Sequence, residues 1–344
     1  MKTKDFIKKV YIHKSALTYS QDILKKLDMP YEILPDNINI NGDKTTLLIS
    51  TKRGGFVKNC PCSKDSISCG YYNINLVEGC FFDCSYCILQ LYLKDKPVTL
   101  YANFNDLINE LDLLLSNKRF VRIGPGELAD CLCLDDISGY SAGLVEYFKD
   151  KNNALLEIKT KDADIQRLFD YDHGGRTVIS FSLNSKLICE KEEKGASSLD
   201  ERIYAAKEAL RAGYKTAFHF DPVIIYDNYL KEYEHTLDII AKNIDKKKIA
   251  WISVGLLRYP SELSSIIRER HPQSFILTGE SVKCDNFKMR YFITFRKKTY
   301  DNIFKLIKKR FEGVNCYICM DTQNLWDIVL NKEQVLKSLN AQNY

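Results

Sequence analysis

An α/β fold built on a parallel barrel is what this sequence predicts, from two observations. Six short β-rich runs recur between Tyr71 and Val254, and longer stretches of helical periodicity separate them. Strands alternating with amphipathic helices make parallel βαβ units, hence an open or closed barrel rather than a meander. The strands read as "YYNINL", "FVRIG", "ALLEIKT", "TVISFS", "YKTAFHF" and "IAWISV". Between them the spacing of Leu107, Leu111 and Leu114, and of Ile203, Ala206 and Leu210, gives helix faces.

Residues 1–70 read as an irregular N-terminal extension, with a helix at Ser20–Leu27, a strand at "TTLLIST" and the turn-rich "CPCSKDSISCG". Residues 71–280 hold the barrel, and residues 281–344 form an α+β cap. The cap is inferred from "MRYFITF", from a helix carrying Tyr300, Ile303, Phe304, Ile307 and Phe311, and from "VNCYICM". No internal repeat or low-complexity segment interrupts this order.

Composition narrows the class. The 344 residues are 45% hydrophobic and 28% charged, enough to bury a large core. No apolar run approaches bilayer length, and the charged "MKTKDFIKKVYIHKS" has no signal-peptide core, so a cytoplasmic protein without a membrane partner is expected. The net charge of +5 is mild. Its basic clusters, "DKKK" and "KLIKKRF", fit solvated helix faces and leave no concentrated footprint for duplex DNA. Twelve cysteines without a secretion signal point to reduced thiols and metal chemistry rather than disulfides.

The densest group is "EGCFFDCSYCILQ", with Cys80, Cys84 and Cys87 in a loop after the first barrel strand. Zinc sites normally close with four ligands, often as paired C-x2-C, whereas this local set is three at unequal spacing. Structural thiols stay open as a reading. A four-iron four-sulfur (4Fe–4S) cluster with one iron left for a substrate fits the count.

On this loop the chain resembles the radical S-adenosylmethionine (SAM) superfamily, whose CxxxCxxC follows the first strand of a partial (β/α)6 barrel. The resemblance implies SAM on the fourth iron, reductive cleavage to a 5′-deoxyadenosyl radical, and an aromatic before the last cysteine, here Tyr86. It also implies SAM contacts from the "GPGE" element: Gly124 and Gly126 let the backbone approach, and Glu127 accepts from the amino group. Lys161, and Ser182 and Asn184 near the ribose, match further polar positions of the family.

More narrowly, "GCFFDCSYCILQ", "RIGPGELADCLCLDDIS", "IKTKDADI", "ISFSLNS" and "GASSLDERIYAAKEALRAGYKTAF" resemble the spore photoproduct lyase family. That family repairs a methylene-bridged thymine dimer in DNA and returns a hydrogen through a cysteine. The chain departs there: a gapless alignment puts Glu127 at the donor cysteine's place, and Ile88 replaces a tyrosine. Cys131 and Cys133 lie nearby, in a different register.

Polar residues at strand ends suggest the substrate. In "FHFDPVI", His219 and Asp221 alternate with Phe218 and Phe220 and so share a face. Asp130 lies close to Glu127 in sequence, and Arg258 follows the sixth strand. An acid-rich mouth suits a ligand with several donors or a positive charge and repels phosphates. The catalytic set expected is therefore Glu127, Asp130, His219 and Asp221. The substrate expected is a deazaguanine-like small molecule, best matched by queuine lyase forming aminomethyl-deazaguanine, with flavodoxin or ferredoxin as electron donor. Spore photoproduct repair in DNA is the alternative, followed by a non-catalytic SAM or nucleic-acid binder. Cys60, Cys62 and Cys69 read as structural thiols, and strand alternation places Cys316 and Cys319 on opposite faces.

Overall fold

Where the sequence suggested irregular chain, the N-terminal region carries an ordered sheet. The computed structural model describes residues 2–62, 66–118, 120–284, 287–330 and 332–339. It divides into two units, one of Met1–Cys60, Tyr71–Phe81 and Tyr92–Thr177, the other of Pro61–Gly70, Phe82–Leu91 and Val178–Tyr344.

In the first unit, Lys9–His13 pairs in parallel with Glu32–Leu34 and with Thr46–Ser50, which in turn pairs in parallel with Val98–Tyr101. Val77–Glu78 closes this sheet antiparallel to Val98–Tyr101. Its buried Ile12, Leu47, Ile49 and Leu100 form one hydrophobic cluster with Leu27 of the helix Gln21–Leu27. Apolar burial of this kind contributes about 25 cal/mol per Å2 of surface removed from water. The missed sheet has a simple cause: its strands are separated by long connections, so no local period announces it.

Parallel strands also run through the expected barrel region of this unit. Tyr71–Ile74 pairs with Val121–Pro125, and Val121–Pro125 with Ala154–Thr160. The helix Phe104–Ser116 buries Leu107, Leu111 and Leu115. Leu115, four residues after Leu111, takes the core place expected of Leu114.

In the second unit, Thr177–Ser182, Lys215–Val223 and Ile249–Leu256 pair in parallel in that order, as their β-rich runs predict. The helix Leu199–Arg211 starts at a capping box formed by Ser198 and Glu201 and buries Ile203, Ala206 and Ala209. The tail residues assigned to a cap behave differently from one another. Cys316–Ile318 adds to the parallel strands beside Ile249–Leu256, while Arg258–Pro260, Ser281–Lys283 and Lys288–Tyr291 make a small antiparallel sheet. "MRYFITF" is strand only as far as Tyr291, and the helix Ile293–Arg310 then buries Tyr300, Ile303, Phe304 and Ile307 as their spacing requires. Among the described residues, no helix is long and apolar enough to cross a membrane.

Candidate active site

The cysteine segment passes from one unit into the other, and each part is held within its own unit. Gly79 has φ +100°, a conformation costly for any side chain, and a Cβ there would stand 3.1 Å from the Val98 backbone. Its N–H donates to the Leu128 carbonyl at 2.8 Å, which holds the chain entering Cys80. Further along, Asp83–Cys84 pairs antiparallel with Glu193–Lys194. Gln90 then gathers the turn: its amide donates to the carbonyls of Cys84, Ser85 and Cys87 at 3.2, 2.9 and 3.2 Å. The Gln90 carbonyl oxygen accepts from Arg270 at 2.6 Å, and the His271 ring lies 2.9 Å from it.

Tyr86 has a structural anchor. Its hydroxyl donates to Glu193, whose carboxylate pairs with Arg202 at 2.6 Å in a fully buried ion pair. Burial, and then the Glu193 charge, push the Tyr86 phenol well above its ordinary pKa, so it stays a donor. Ser85 is held likewise, by Glu192, through its backbone N–H at 2.8 Å and its hydroxyl. Cys84 is buried, and Cys80 and Cys87 are partly buried. An all-thiol donor set on a braced loop is the soft set that iron–sulfur centres take, each iron receiving one thiolate. Among the described residues, no three His, Cys, Asp or Glu side chains converge as a ready site for a single ion.

The "GPGE" turn is built by its own unit. Gly124 carries the strand past Glu157, and a Cβ would fall 2.0 Å from that carbonyl and 2.5 Å from the Tyr71 hydroxyl. Strand packing is thus sufficient reason for this glycine, a reason the sequence did not offer. Gly126 has φ +111° and sits against the Cys131 sulfur, 3.2 Å from where its Cβ would be. Glu127 is partly buried and accepts from the Asn75 amide at 3.4 Å. Asn75, 2% exposed, is the orienting residue that sequence reasoning missed; its only signal was a polar side chain inside a strand-like run.

Asp130 does not join Glu127 as a second free acid. It accepts from Thr160 Oγ1 at 2.6 Å, from the Lys161 N–H at 2.8 Å and from the Leu132 N–H at 3.0 Å. Burial raises its pKa despite these bonds. It ties the turn to the end of Ala154–Thr160, and Lys161 contributes its backbone there. Cys131 is a second tie, donating to the Pro125 carbonyl at 3.0 Å and accepting from the Lys159 N–H at 3.1 Å. Burial holds its thiol well above the ordinary range.

In the second unit the expected polar residues are satisfied internally. Asn184, 1% exposed, donates to the Pro222 carbonyl at 2.9 Å and accepts from the Tyr233 hydroxyl. Ser182 is buried, and its carbonyl accepts from Arg202 at 2.9 Å. His219 receives the Trp251 indole N–H at Nε2, 3.4 Å away, so Nδ1 carries the hydrogen and donates to Ser253 Oγ at 2.6 Å. Asp221 meets Arg258 through a two-pronged pair at 2.8 and 3.1 Å. The strand register slips between Phe220 and Val223, the stretch that carries Asp221. Cys319 lies 3.9 Å from Arg258, while Cys316 turns to the Val314 carbonyl. An open cavity of about 1130 Å3 in this unit is lined by Lys191, Lys194, Tyr226 and Phe275 among others, with the two rings edge to face at 5.7 Å.

Comparison with known families decides what this arrangement belongs to. The family model "Spore photoproduct lyase" matches residues 37–314, most of the 344-residue chain. The chain belongs to the spore photoproduct lyase family. The spore photoproduct lyase of Clostridium acetobutylicum is 30% identical over 209 residues, 60% of each chain. That of Geobacillus sp. is 26% identical over 243 residues, 69% of this chain and 70% of the other. The Bacillus subtilis lyase is 25% identical over 225 residues, 64% of each. The aligned region therefore spans about 60–70% of the curated relatives' length.

Among solved structures, a spore photoproduct lyase variant with bound AdoMet and dinucleoside spore photoproduct superimposes with TM-score 0.80 at 20% identity, covering 92% of this chain and 99% of that one. A second complex with the dinucleoside gives TM-score 0.78. The fold is accordingly that of the spore photoproduct lyase structures, a mixed α/β fold with parallel strands as the sequence predicted. Membership in a family of radical SAM lyases agrees with the expected enzyme class and with a 4Fe–4S cluster and SAM as cofactors.

Queuine and a deazaguanine-like partner are overturned. The matched family and the curated relatives are spore photoproduct lyases, and the structural neighbour holds a dinucleoside. The physical error lay in the supposed acid-rich mouth. Asp221 is neutralised by Arg258, Asp130 is spent on three local donors, and His219 is a satisfied core histidine.

Proposed function

We propose that this chain is a radical SAM lyase that splits a covalently cross-linked thymine pair in DNA, the activity that the names of its relatives carry. The observation bearing most weight is the braced three-thiol loop of Cys80, Cys84 and Cys87 inside a family match running from residue 37 to residue 314. When bound, the cluster and SAM supply the reducing electron and a carbon radical able to take an unactivated hydrogen.

The protein's part is placement. Gln90, Glu192 and Glu193 hold the thiol loop in one conformation. Glu127, oriented by Asn75, offers a carboxylate to the SAM amino group. Gly126 keeps that turn free of a side chain. Lys161 is retained as a SAM contact through its side chain, its backbone being used by Asp130. The cavity with Tyr226 and Phe275 offers aromatic surface for a base, and its wall carries both signs of charge, Lys191 and Lys194 with Glu190 and Asp227. Glu127 cannot replace the family's donor thiol, because an O–H bond is too strong to release a hydrogen atom to a carbon radical.

The test is anaerobic reconstitution with iron and sulfide, reduction with dithionite, and incubation with SAM and an oligonucleotide carrying one spore photoproduct. Mass spectrometry should show two restored thymidines in place of the lesion. Deoxyadenosine without loss of the lesion would overturn the substrate.

A further inference from the structure

One thiol outside the predicted ligand set stands against it. Cys133 is 8% exposed and lies in the hydrophobic cluster with Leu134, Ile137 and Val98. Its backbone N–H bonds to the Asp130 carbonyl at 3.0 Å, and the neighbouring Leu128 carbonyl receives the Gly79 N–H at 2.8 Å. These ties bring the turn of residues 128–133 alongside the chain entering the cysteine loop. The Cys133 sulfur accordingly approaches the Gly79 carbonyl at 3.8 Å, the Phe81 N–H points to it, and the Cys80 thiol is its side-chain neighbour. Phe81 covers the spot and is itself stacked on Phe6 at 5.2 Å.

We propose that Cys133 is a positioning residue for the iron–sulfur centre, donating its S–H to the Cys80 sulfur once that sulfur is a metal-bound thiolate. The proposal rests on the cluster reading above. A thiol is a weak donor, and toward a carbonyl at 3.8 Å it forms a weak bond. A thiolate is a charged acceptor, and hydrogen bonds to ionised partners are roughly twice as strong as neutral ones. Cys133 is buried, which limits the water that could compete for its S–H. The S–H therefore turns from Gly79 to Cys80 when the ligand forms. A hydrogen bond to a ligand sulfur favours the more negative, reduced cluster, and so raises its reduction potential. Cys133 thus makes the cluster easier to reduce and fixes the orientation of the Cys80 side chain. The motif spacing does not include Cys133; only the turn of residues 128–133 brings it there.

The experiment is a redox titration of the reconstituted protein, followed by the paramagnetic signal of the reduced cluster, without substrate. Cys133→Ala and Cys133→Val should load iron as the wild type does, yet shift the reduction equilibrium about tenfold toward the oxidised form, about 59 mV for one electron. Cys133→Ser keeps a hydroxyl donor and should restore most of that shift, which a merely space-filling role would not. An unchanged potential in a fully loaded Ala or Val variant would overturn the proposal. Wild-type protein with no cubane signal would instead overturn the cluster reading on which it rests.

Discussion

The loop at Cys80–Gln90 and the strand segment His219–Pro222 carry equally unusual side chains, yet the two regions are held in different ways. In the loop, Gln90, Glu192 and Glu193 spend hydrogen bonds on the backbone, on Ser85 and on Tyr86, so the neighbours of the thiols brace the chain rather than the sulfurs. In the strand, every suggestive group found a local partner: His219 has Ser253 and Trp251, and Asp221 has Arg258. A polar side chain is evidence for a site only after its internal partners have been counted.

That contrast can be broken experimentally, and the largest effect should come from the thiols. Cys84→Ser should abolish the cubane absorption and all deoxyadenosine formation while leaving the far-ultraviolet dichroism intact. A variant that still loaded a full cluster would erase the distinction between the two regions.

Next comes the support of the loop. Arg202→Met leaves Glu193 charged and buried without its cation, which costs about 3–5 kcal/mol. Urea denaturation should show a loss of that size, with the Tyr86 side of the loop loosened and cluster loading reduced.

For the strand the expectation is the opposite. His219→Leu leaves the Ser253 hydroxyl and the Trp251 indole N–H unpaired, at about 1–3 kcal/mol each. SAM affinity measured by equilibrium dialysis should stay within twofold. A selective loss of SAM or lesion binding, without loss of stability, would return His219 to the site.

The smallest effect is a pH dependence at Asp130. Its carboxyl is raised above the ordinary 3.8 by burial, against its bonds to Thr160, Lys161 and Leu132. A raised folded pKa means its stabilisation is complete below 3.8 and lost as pH rises through the raised value. Asp130→Asn cannot ionise, so the stability difference between wild type and variant should shrink with rising pH across that interval. A difference that grew with pH would mean that the ionised form is the favoured one.

Much of the fold was legible because it is periodic. The strands Ala154–Thr160, Thr177–Ser182 and Ile249–Leu256 are buried almost throughout, as parallel strands covered on both faces must be, and β-branched and other apolar residues mark them in the sequence. The sheet that joins Lys9–His13, Thr46–Ser50 and Val98–Tyr101 was not legible, because its pairing depends on contacts between distant segments. Gly124 illustrates the same limit within the site. Its identity was noticed for a cofactor, but the Glu157 carbonyl already demands it.

By itself the sequence determined the family's cysteine spacing and the order of the parallel strands along the chain, since each is written in local intervals. Only the tertiary structure decided which polar groups were already satisfied. It cancelled the charge of Asp221 with Arg258, committed Asn184 to Pro222 and Tyr233, gave Glu127 its Asn75 and set Cys133 beside Cys80. The reason is that a hydrogen bond or an ion pair is a property of two groups in space, and pairs this far apart in the chain leave no mark on its spacing.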